Sequence, residues 1–173
     1  TIYNIYKVKE DAEITLEANP DDLTPEYVSI LRQLPINRIS MGIQTFREET
    51  LRLLHRRHTA QQAKEAFHRC REAGFQNISI DLMYGLPGET LETWKEDLRQ
   101  AIALHPEHIS AYHLIYEEGT VLWKLKEEHQ VEEADEDLSV SLFKTLIETL
   151  TQAGYQHYEI SNFCLPGLHS RHN

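Results

Sequence analysis

The sequence predicts an α/β fold in which strands and helices alternate within one domain. Five short apolar runs, rich in β-branched or aromatic residues, are separated by segments whose apolar residues recur at helical spacing. No linker rich in serine, glycine or proline interrupts this alternation, and 173 residues suit a single domain. Such alternation is typical of a parallel sheet. The periodicity favours either an arc of a barrel or an open doubly wound sheet and does not choose between them.

Each element has its own signal in the sequence. The strands are expected near 13–18, 37–43, 77–84, 108–115 and 156–161. Thr24-Pro25 supplies an N-cap and a first-turn proline for the first helix. Thr59 and Gln62 have the spacing of a capping box, and Gly74 should end that helix in a left-handed conformation. Two further helices are expected over 90–104 and 136–153.

Two segments repeat one pattern, namely a helix end, a glycine, an aromatic residue and then a strand. They are 73–80 and 153–160. This pattern is expected of βα units, in which the helix packs back onto a parallel sheet in the right-handed sense. We therefore expect the strand near 156–161 to join the same parallel sheet.

Composition excludes several classes of function. The formal net charge of −11 argues against a binding surface for nucleic acid or anionic lipid. No apolar run reaches the roughly 18 residues that span a bilayer, and no secretory signal pattern opens the chain. Cys70 and Cys164 are too few for a disulfide framework. Reduced thiols and a cytoplasmic location are therefore expected.

A candidate site emerges at the expected carboxyl ends of strands, which form the binding face in parallel α/β proteins. Glu17, Gln44 and Asp81 each lie where a strand is expected to end. Carboxylates accept hydrogen bonds from sugar hydroxyls or an amine, and the Gln44 amide both donates and accepts. The guanidinium of Arg56 can fork onto a carboxylate. Together these groups describe a pocket for a zwitterionic ligand that bears a ribose.

Other interpretations of the same residues stay open at this point. Glu17 and Asp81 could instead cap strand ends and pair with neighbouring lysine or arginine side chains. They could also perform acid–base work on a sugar or phosphate ester in an unrelated α/β barrel. Two histidine pairs, His55 with His58 and His169 with His172, have a spacing that could place both rings on one helical face. Neither pair has a third ligand of suitable type nearby, so no metal site is predicted.

Several segments, in order over almost the whole chain, resemble one family. They are Glu17–Asp21, Met41–Phe46, Leu54–Thr59, Asp81–Gly88 and Tyr158–Phe163. The family is that of the radical S-adenosylmethionine proteins that comprise the oxygen-independent coproporphyrinogen III oxidases and their HemW-type relatives. Segments 109–114, 117–120 and 170–173 resemble the HemW type more closely than the oxidase.

The resemblance implies a fold, cofactors and partners. The fold is expected to be a partial (β/α)6 TIM-like barrel of the radical SAM type, of which this chain holds the later βα units only. The resemblance places contacts with S-adenosylmethionine on Glu17, Gln44, Arg56 and Asp81. In this family a [4Fe–4S] cluster reduces that ligand to a 5′-deoxyadenosyl radical. HemW-type members are haem chaperones that deliver haem to acceptor proteins, and His172 is a candidate haem contact.

The chain departs from the family in its cysteines. The Cys-x-x-x-Cys-x-x-Cys motif that holds the cluster is missing. Cys70 is expected to be a core residue of a helix and Cys164 to lie in a carboxyl-terminal loop, so neither replaces the motif. We therefore expect residues 1–173 to be a single-domain fragment, incomplete at the N-terminus and inactive alone, with the cluster ligands outside it.

The expected function is that of a HemW-like haem chaperone. The alternative is an oxygen-independent coproporphyrinogen III oxidase, which oxidatively decarboxylates porphyrinogen propionates by radical chemistry. Haem or a porphyrinogen is the expected ligand, and haem-acceptor proteins are the expected partners.

Overall fold

The computed structural model describes residues 5–171 and contains a mixed β-sheet flanked by helices. The strands are β1 (Thr15–Ala18), β2 (Arg38–Gln44), β3 (Ile78–Tyr84), β4 (His108–His113), β5 (Gln156–Glu159) and β6 (Asn162–Cys164). Their order in the sheet is β1-β2-β3-β4-β6-β5. Strands β1 to β4 pair in parallel, and β6 is antiparallel to both of its neighbours. The predicted α/β class is confirmed.

Helices connect the parallel strands. They are α1 (Pro25–Leu31), α2 (Glu48–Leu53), α3 (Ala60–Glu72), α4 (Leu91–Ala103), α5 (Val121–Glu127) and α6 (Glu136–Gln152), with a short 3-10 helix at Pro20–Asp22. The capping box of Thr59 and Gln62 is confirmed, because each side chain accepts a hydrogen bond from the backbone N–H of the other. Gly74 follows the same helix with φ of 95°, as its sequence position predicted. Helices α2 and α5 were not predicted.

The core lies between one face of the sheet and the helices. Alternate residues of β2, β3 and β4 point to this face, as the period of two in a strand requires. The fully buried apolar residues there are Ile39, Met41, Ile43, Ile78, Ile80, Leu82 and Ile109. They pack with Phe67 of α3, Trp94 of α4 and Leu146 of α6 in one cluster. The Trp94 Nε1–H donates to the Leu142 carbonyl oxygen at 3.1 Å, which joins α4 to α6.

The opposite face of the sheet, here called the polar face, carries hydrophilic side chains. Its residues in register across β1 to β4 include Glu17, Ser40, Ser79, His108, Asp81 and Ser110. The Ser79 hydroxyl lies 2.8 Å from His108 Nδ1, and His108 Nε2 lies 2.8 Å from the Tyr158 hydroxyl. This face is therefore organised by hydrogen bonds rather than by apolar packing.

The strand expected near 156–161 is confirmed over Gln156–Glu159 as β5, but it ends before residue 161 and does not pair directly with a parallel strand. The chain reverses after β5, and β6 inserts antiparallel between β4 and β5. The Glu159 carboxylate accepts hydrogen bonds from the Ser161 backbone N–H at 3.2 Å and from Asn162 Nδ2 at 2.5 Å, which stabilises the reversal. Asn162 then accepts a hydrogen bond from the Ser110 hydroxyl of β4 at 2.9 Å. Because two antiparallel pairings separate them, β5 still runs in the direction of β4.

The position predicted for one cysteine is confirmed, and the position predicted for the other is wrong. Cys70 is fully buried in the core on α3, as expected. Cys164 lies in β6 and is also fully buried, so its assignment to a loop is wrong. Within residues 5–171 no helix is both long and apolar enough to span a membrane.

Truncating Leu146 tests the packing of α6 on the sheet. Leu146→Ala should lower the free energy of unfolding by about 2–5 kcal/mol, because a fully buried side chain is removed and a cavity remains. Val140→Ala on the same helix is the matched control, since Val140 is 45% exposed, and it should change this free energy by less than about 0.5 kcal/mol. Urea denaturation measures both. Equal losses in the two variants would contradict this packing.

Candidate functional site

Two carboxylates approach each other on the polar face. Glu17 of β1 is paired in register with Ser40 of β2, and the Ser40 hydroxyl donates to Asp81 Oδ1 on β3 at 3.5 Å. Burial raises the pKa of Asp81, and the negative charge of Glu17 acts in the same direction. Glu17 and Asp81 are thus gathered around Ser40, although they lie far apart in the sequence.

Gln44 and Arg56 meet beside the same strand. A Cβ atom placed on Gly42 would lie 2.9 Å from Gln44 Nε2 and 3.3 Å from Arg56 Nη2. Gly42 is in turn the register partner of Asp81 on β3. All four residues predicted from the sequence therefore lie around residues 40–42 of β2, as their expected convergence required.

The three residues expected at strand ends differ in their position along the strand. Glu17 is the penultimate residue of β1 and Gln44 the last residue of β2, close to where each strand was expected to end. Asp81 is not at a strand end, because β3 continues to Tyr84 through pairing of residues 82–84 with residues 111–113 of β4. Asp81 therefore lies within the polar face rather than at the rim of the sheet.

A bulge directs the Gln44 side chain to this face. The register of β2 against β3 shifts between Gly42 and Gln44, and Gln44 has φ of 72°. The loop that follows is held by the buried carboxylate of Asp97 on α4. This carboxylate accepts hydrogen bonds from the Thr45 hydroxyl at 2.5 Å and from the Phe46 backbone N–H at 3.0 Å. Sequence reasoning missed Asp97, since it lies on a helix far along the chain.

Arg56 is held by the protein through one end of its guanidinium. Its Nη2 donates to Asn19 Oδ1 at 2.7 Å and to the Gly42 carbonyl oxygen at 3.1 Å. Neither Asn19 nor Gly42 was selected from the sequence as a site residue, although both lie in the segments that carried the family resemblance. Within residues 5–171, Nη1 and Nε of Arg56 donate to no other side chain or carbonyl.

The electrostatics of the site are those of a pocket for a cation. Burial raises the pKa of Asp81 to about 6; the charge of Glu17 adds to this effect and the charge of Arg38 opposes it. Among residues 5–171 neither Glu17 nor Asp81 has a lysine or arginine nitrogen within 4.0 Å. The interpretation of these two carboxylates as capping groups in ion pairs is therefore wrong for the described chain.

The arrangement fits S-adenosylmethionine, which carries a sulfonium, an amine, a carboxylate and ribose hydroxyls. In the described range 5–171 neither carboxylate has an ion-pair partner, so both suit the cationic and hydroxyl groups of this ligand. Nη1 and Nε of Arg56, which have no acceptor in that range, suit an anionic or carbonyl oxygen. The space above Gly42, which a Cβ would fill, lets the Gln44 and Arg56 side chains approach one another.

The same residues do not fit an iron–sulfur cluster. Such clusters are bound by several cysteine thiolates. Cys70 and Cys164 are both fully buried on different elements, and burial raises the pKa of the Cys70 thiol to about 11, which disfavours the thiolate. The described part of the chain also contains no group of three or more metal-binding side chains.

His55 and His58 do not share a helical face. Helix α2 ends at Leu53, before both His55 and His58. His58 Nε2 lies 3.2 Å from the Ile43 carbonyl oxygen, and burial lowers the pKa of this ring. The ring of His169 packs edge-on against Tyr158, and its expected partner His172, also the candidate haem contact, lies outside the described residues.

A larger cavity lies away from this site. It has a volume of about 740 Å³ and is lined by residues that include Leu86, Glu89, Lys126 and His129. None of the four predicted residues lines it. The Glu89 carboxylate accepts a hydrogen bond from the Gly85 backbone N–H at 2.6 Å. Burial raises the pKa of Glu89 to about 7. We assign the site by the convergence of charged and polar groups, because cavity size alone carries no chemistry.

The charge of Asp81 should lower stability above its pKa. Its pKa is raised from 3.8 to about 6 in the folded chain, so the folded state favours the neutral form. The neutral Asp81 carboxyl therefore contributes to the free energy of unfolding. This contribution is complete below pH 3.8 and is lost as the pH rises through 6, where the folded chain loses the proton. Asp81→Asn should therefore exceed the parent in unfolding free energy by on the order of 2 kcal/mol at pH 8, with no difference near pH 3.5.

Denaturant unfolding across this pH range measures that difference. Glu148→Gln is the matched control, because Glu148 is exposed and lies within α6, away from the first turn of the helix. If the difference in unfolding free energy between the parent and Asp81→Asn does not change with pH, the ionisation of Asp81 is not its cause.

Comparison with known proteins identifies the family of the chain. A family model described as the Radical SAM superfamily matches residues 2–101. The heme chaperone HemW of Lactococcus lactis subsp. lactis is 40% identical over 161 residues, which cover 93% of this chain and 42% of that protein. The heme chaperone HemW of Bacillus subtilis is 38% identical over 173 residues, which cover 99% of this chain and 46% of that protein.

A solved structure shows the same architecture. The coproporphyrinogen III oxidase HemN from Escherichia coli, described as a radical SAM enzyme, superposes with a TM-score of 0.82 at 27% identity. The match covers 96% of this chain and 38% of HemN, so the chain spans less than half the length of each of these three relatives. On the family match and this structural likeness, the chain belongs to the radical SAM superfamily.

Proposed function

We propose that this chain forms the S-adenosylmethionine-binding part of a HemW-like haem chaperone. The observation that carries the proposal is the meeting of Glu17, Gln44, Arg56 and Asp81 around residues 40–42 of β2. Members of the radical SAM superfamily use S-adenosylmethionine together with a [4Fe–4S] cluster. Identities of 38–40% to HemW proteins, against 27% to HemN, support the chaperone assignment.

Each side chain has a role in this proposal. The carboxylates of Glu17 and Asp81 accept hydrogen bonds from the ribose hydroxyls or the amine of the ligand. Arg56 donates to an oxygen atom through Nη1 or Nε, and the Gln44 amide lies beside it. The cluster and S-adenosylmethionine together supply a 5′-deoxyadenosyl radical in this superfamily. We propose that the cluster is held by residues outside this chain, since its own cysteines do not fit.

A second candidate is an oxygen-independent coproporphyrinogen III oxidase. The observation that favours it is the TM-score of 0.82 to HemN, which extends over 96% of this chain. In this case the ligand would be a porphyrinogen, whose propionates are oxidatively decarboxylated, rather than haem.

We also propose a cytoplasmic location and a haem-acceptor protein as partner. Two free, buried cysteines support a reducing compartment. The net charge of −11 argues against a nucleic acid as partner.

Removal of the Asp81 carboxylate tests cofactor binding. In the full-length protein carrying its cluster, Asp81→Ala should weaken the affinity for S-adenosylmethionine by about tenfold or more, because a charged hydrogen-bond acceptor is lost. Isothermal titration calorimetry measures the affinity, and Asp137→Ala is the exposed control. An unchanged affinity would contradict the proposal, and loss of the cooperative thermal melt would instead assign Asp81 a structural role.

A direct assay separates the two candidate functions. The reconstituted full-length protein should bind haem, seen as a shifted Soret absorption band, and should not decarboxylate coproporphyrinogen III. Turnover of the porphyrinogen to a product with fewer carboxylates would contradict the chaperone function and support the oxidase function. The assay contains S-adenosylmethionine, a reductant for the cluster and an electron acceptor, because each oxidative decarboxylation releases CO2 and one electron after hydrogen is abstracted. With all three present, an absence of turnover is informative.

A further inference from the structure

Asn19, which follows β1, and Gly42 of β2 both accept a hydrogen bond from Arg56 of the proposed site. We infer that Asn19 and Gly42 are positioning residues, which together form a seat for the Arg56 guanidinium. The Asn19 side chain and the Gly42 backbone together form this Arg56 seat. The inference rests on the proposed binding of S-adenosylmethionine and adds residues that determine how the ligand is held.

Asn19 is oriented by its own neighbours. Its Nδ2 donates to Asp22 Oδ2 at 3.2 Å, and Asp22 Oδ1 accepts a hydrogen bond from Arg57 at 2.9 Å. Because Nδ2 is committed to Asp22, the opposite amide atom Oδ1 faces Arg56 and accepts its Nη2–H at 2.7 Å. The following Pro20 restricts the Asn19 backbone, which is extended with φ of −84° and ψ of 148°. The Asn19 amide is therefore fixed before any ligand binds.

Gly42 contributes both an acceptor and space. Its carbonyl oxygen accepts the second Nη2 hydrogen bond of Arg56 at 3.1 Å. A Cβ at this position would approach Gln44 Nε2 to 2.9 Å and Arg56 Nη2 to 3.3 Å. Both atoms lie at the ends of flexible side chains, so an alanine would displace these groups rather than distort the strand. Glycine is therefore required here by the site more than by the fold.

The Arg56 seat determines which donors face the ligand. An arginine Nη atom carries two hydrogens, and both hydrogens of Nη2 are used by Asn19 and Gly42. The two-pronged fork predicted from the sequence needs hydrogens on adjacent nitrogens, one of which would be Nη2. Arg56 is thus left with Nη1 and Nε as separate donors. The geometry indicates single hydrogen bonds to the ligand instead of a bidentate fork.

A double-mutant cycle tests the coupling between Asn19 and Arg56. The affinity of the cluster-containing full-length protein for S-adenosylmethionine is measured by calorimetry for the parent, Asn19→Ala, Arg56→Met and the double variant. Asn19→Ala should weaken binding by about tenfold, because Arg56 loses the acceptor that orients it. In the Arg56→Met background the same change should have an effect below about twofold, since the seated group is gone.

Three further variants separate positioning from folding. Asn19→Asp keeps an acceptor for the Arg56 Nη2–H but loses the Nδ2–H that is donated to Asp22, and it places two carboxylates side by side, so it should restore only part of the affinity that Asn19→Ala loses. Gly42→Ala should weaken binding to a similar extent while the thermal melt moves by less than about 3 °C. The matched control is Asn37→Ala, which removes side-chain bonds to the backbone at Ala12 and Ile14, at the other end of the sheet, and should leave the affinity unchanged.

The outcomes distinguish this inference from the proposed function. If the parent binds S-adenosylmethionine and Asp81→Ala weakens it, but Asn19→Ala and Gly42→Ala do not, the inference alone is overturned. Equal effects of Asn19→Ala with and without Arg56 would also overturn it. If the parent fails to bind, the proposed function falls. The Arg56 seat is then judged by ¹⁵N NMR of the guanidinium, in which Asn19→Ala should release the hindered rotation of Nη2, and unchanged rotation would refute it.

Discussion

The alternation of side chains between the two faces of the parallel strands is the constraint on which the rest of this structure depends. Ile39, Met41 and Ile43 point to the helices and are fully buried, whereas Ser40 and Gly42 between them point to the polar face. Parallel sheets are commonly covered by apolar contacts on both faces. Here the second face carries carboxylates, hydroxyls and an imidazole instead. A shift of one residue in register would exchange the two faces and remove the core and the site together.

The polar face concentrates charges that are unfavourable in the absence of a ligand. Asp81 is held partly out of water near Glu17, and its raised pKa records the free energy that this placement costs. In the described part of the chain Arg56 forms no ion pair with either carboxylate, and its Nη2 donates to Asn19 and to Gly42. The separation of a seated cation from two carboxylates creates complementary places for the opposite charges of a zwitterion. Such local conflict with stability is expected at a binding site rather than in a purely structural element.

Structural features that neighbouring residues determine were predicted correctly from the sequence. Features that depend on contacts between distant residues were predicted only in part. The capping box of Thr59 and Gln62 and the left-handed Gly74 were predictable, because neighbouring residues determine them. The convergence of Glu17 and Gln44 was predictable from strand ends. The reversal between β5 and β6 was not, since it depends on Glu159 and Asn162 and on pairing with distant Ser110. The Arg56 seat was also hidden, because a glycine and an asparagine show their role only when the chain is folded.

The most direct test of this account is a crystal structure of the protein with S-adenosylhomocysteine, which lacks the reactive sulfonium. The account predicts ligand oxygen and nitrogen atoms within hydrogen-bonding distance of Glu17, Asp81 and Arg56, with Arg56 Nη2 still bound to Asn19. Density for the ligand in the cavity beside Glu89, or at any place remote from β2, would contradict the assignment of the site.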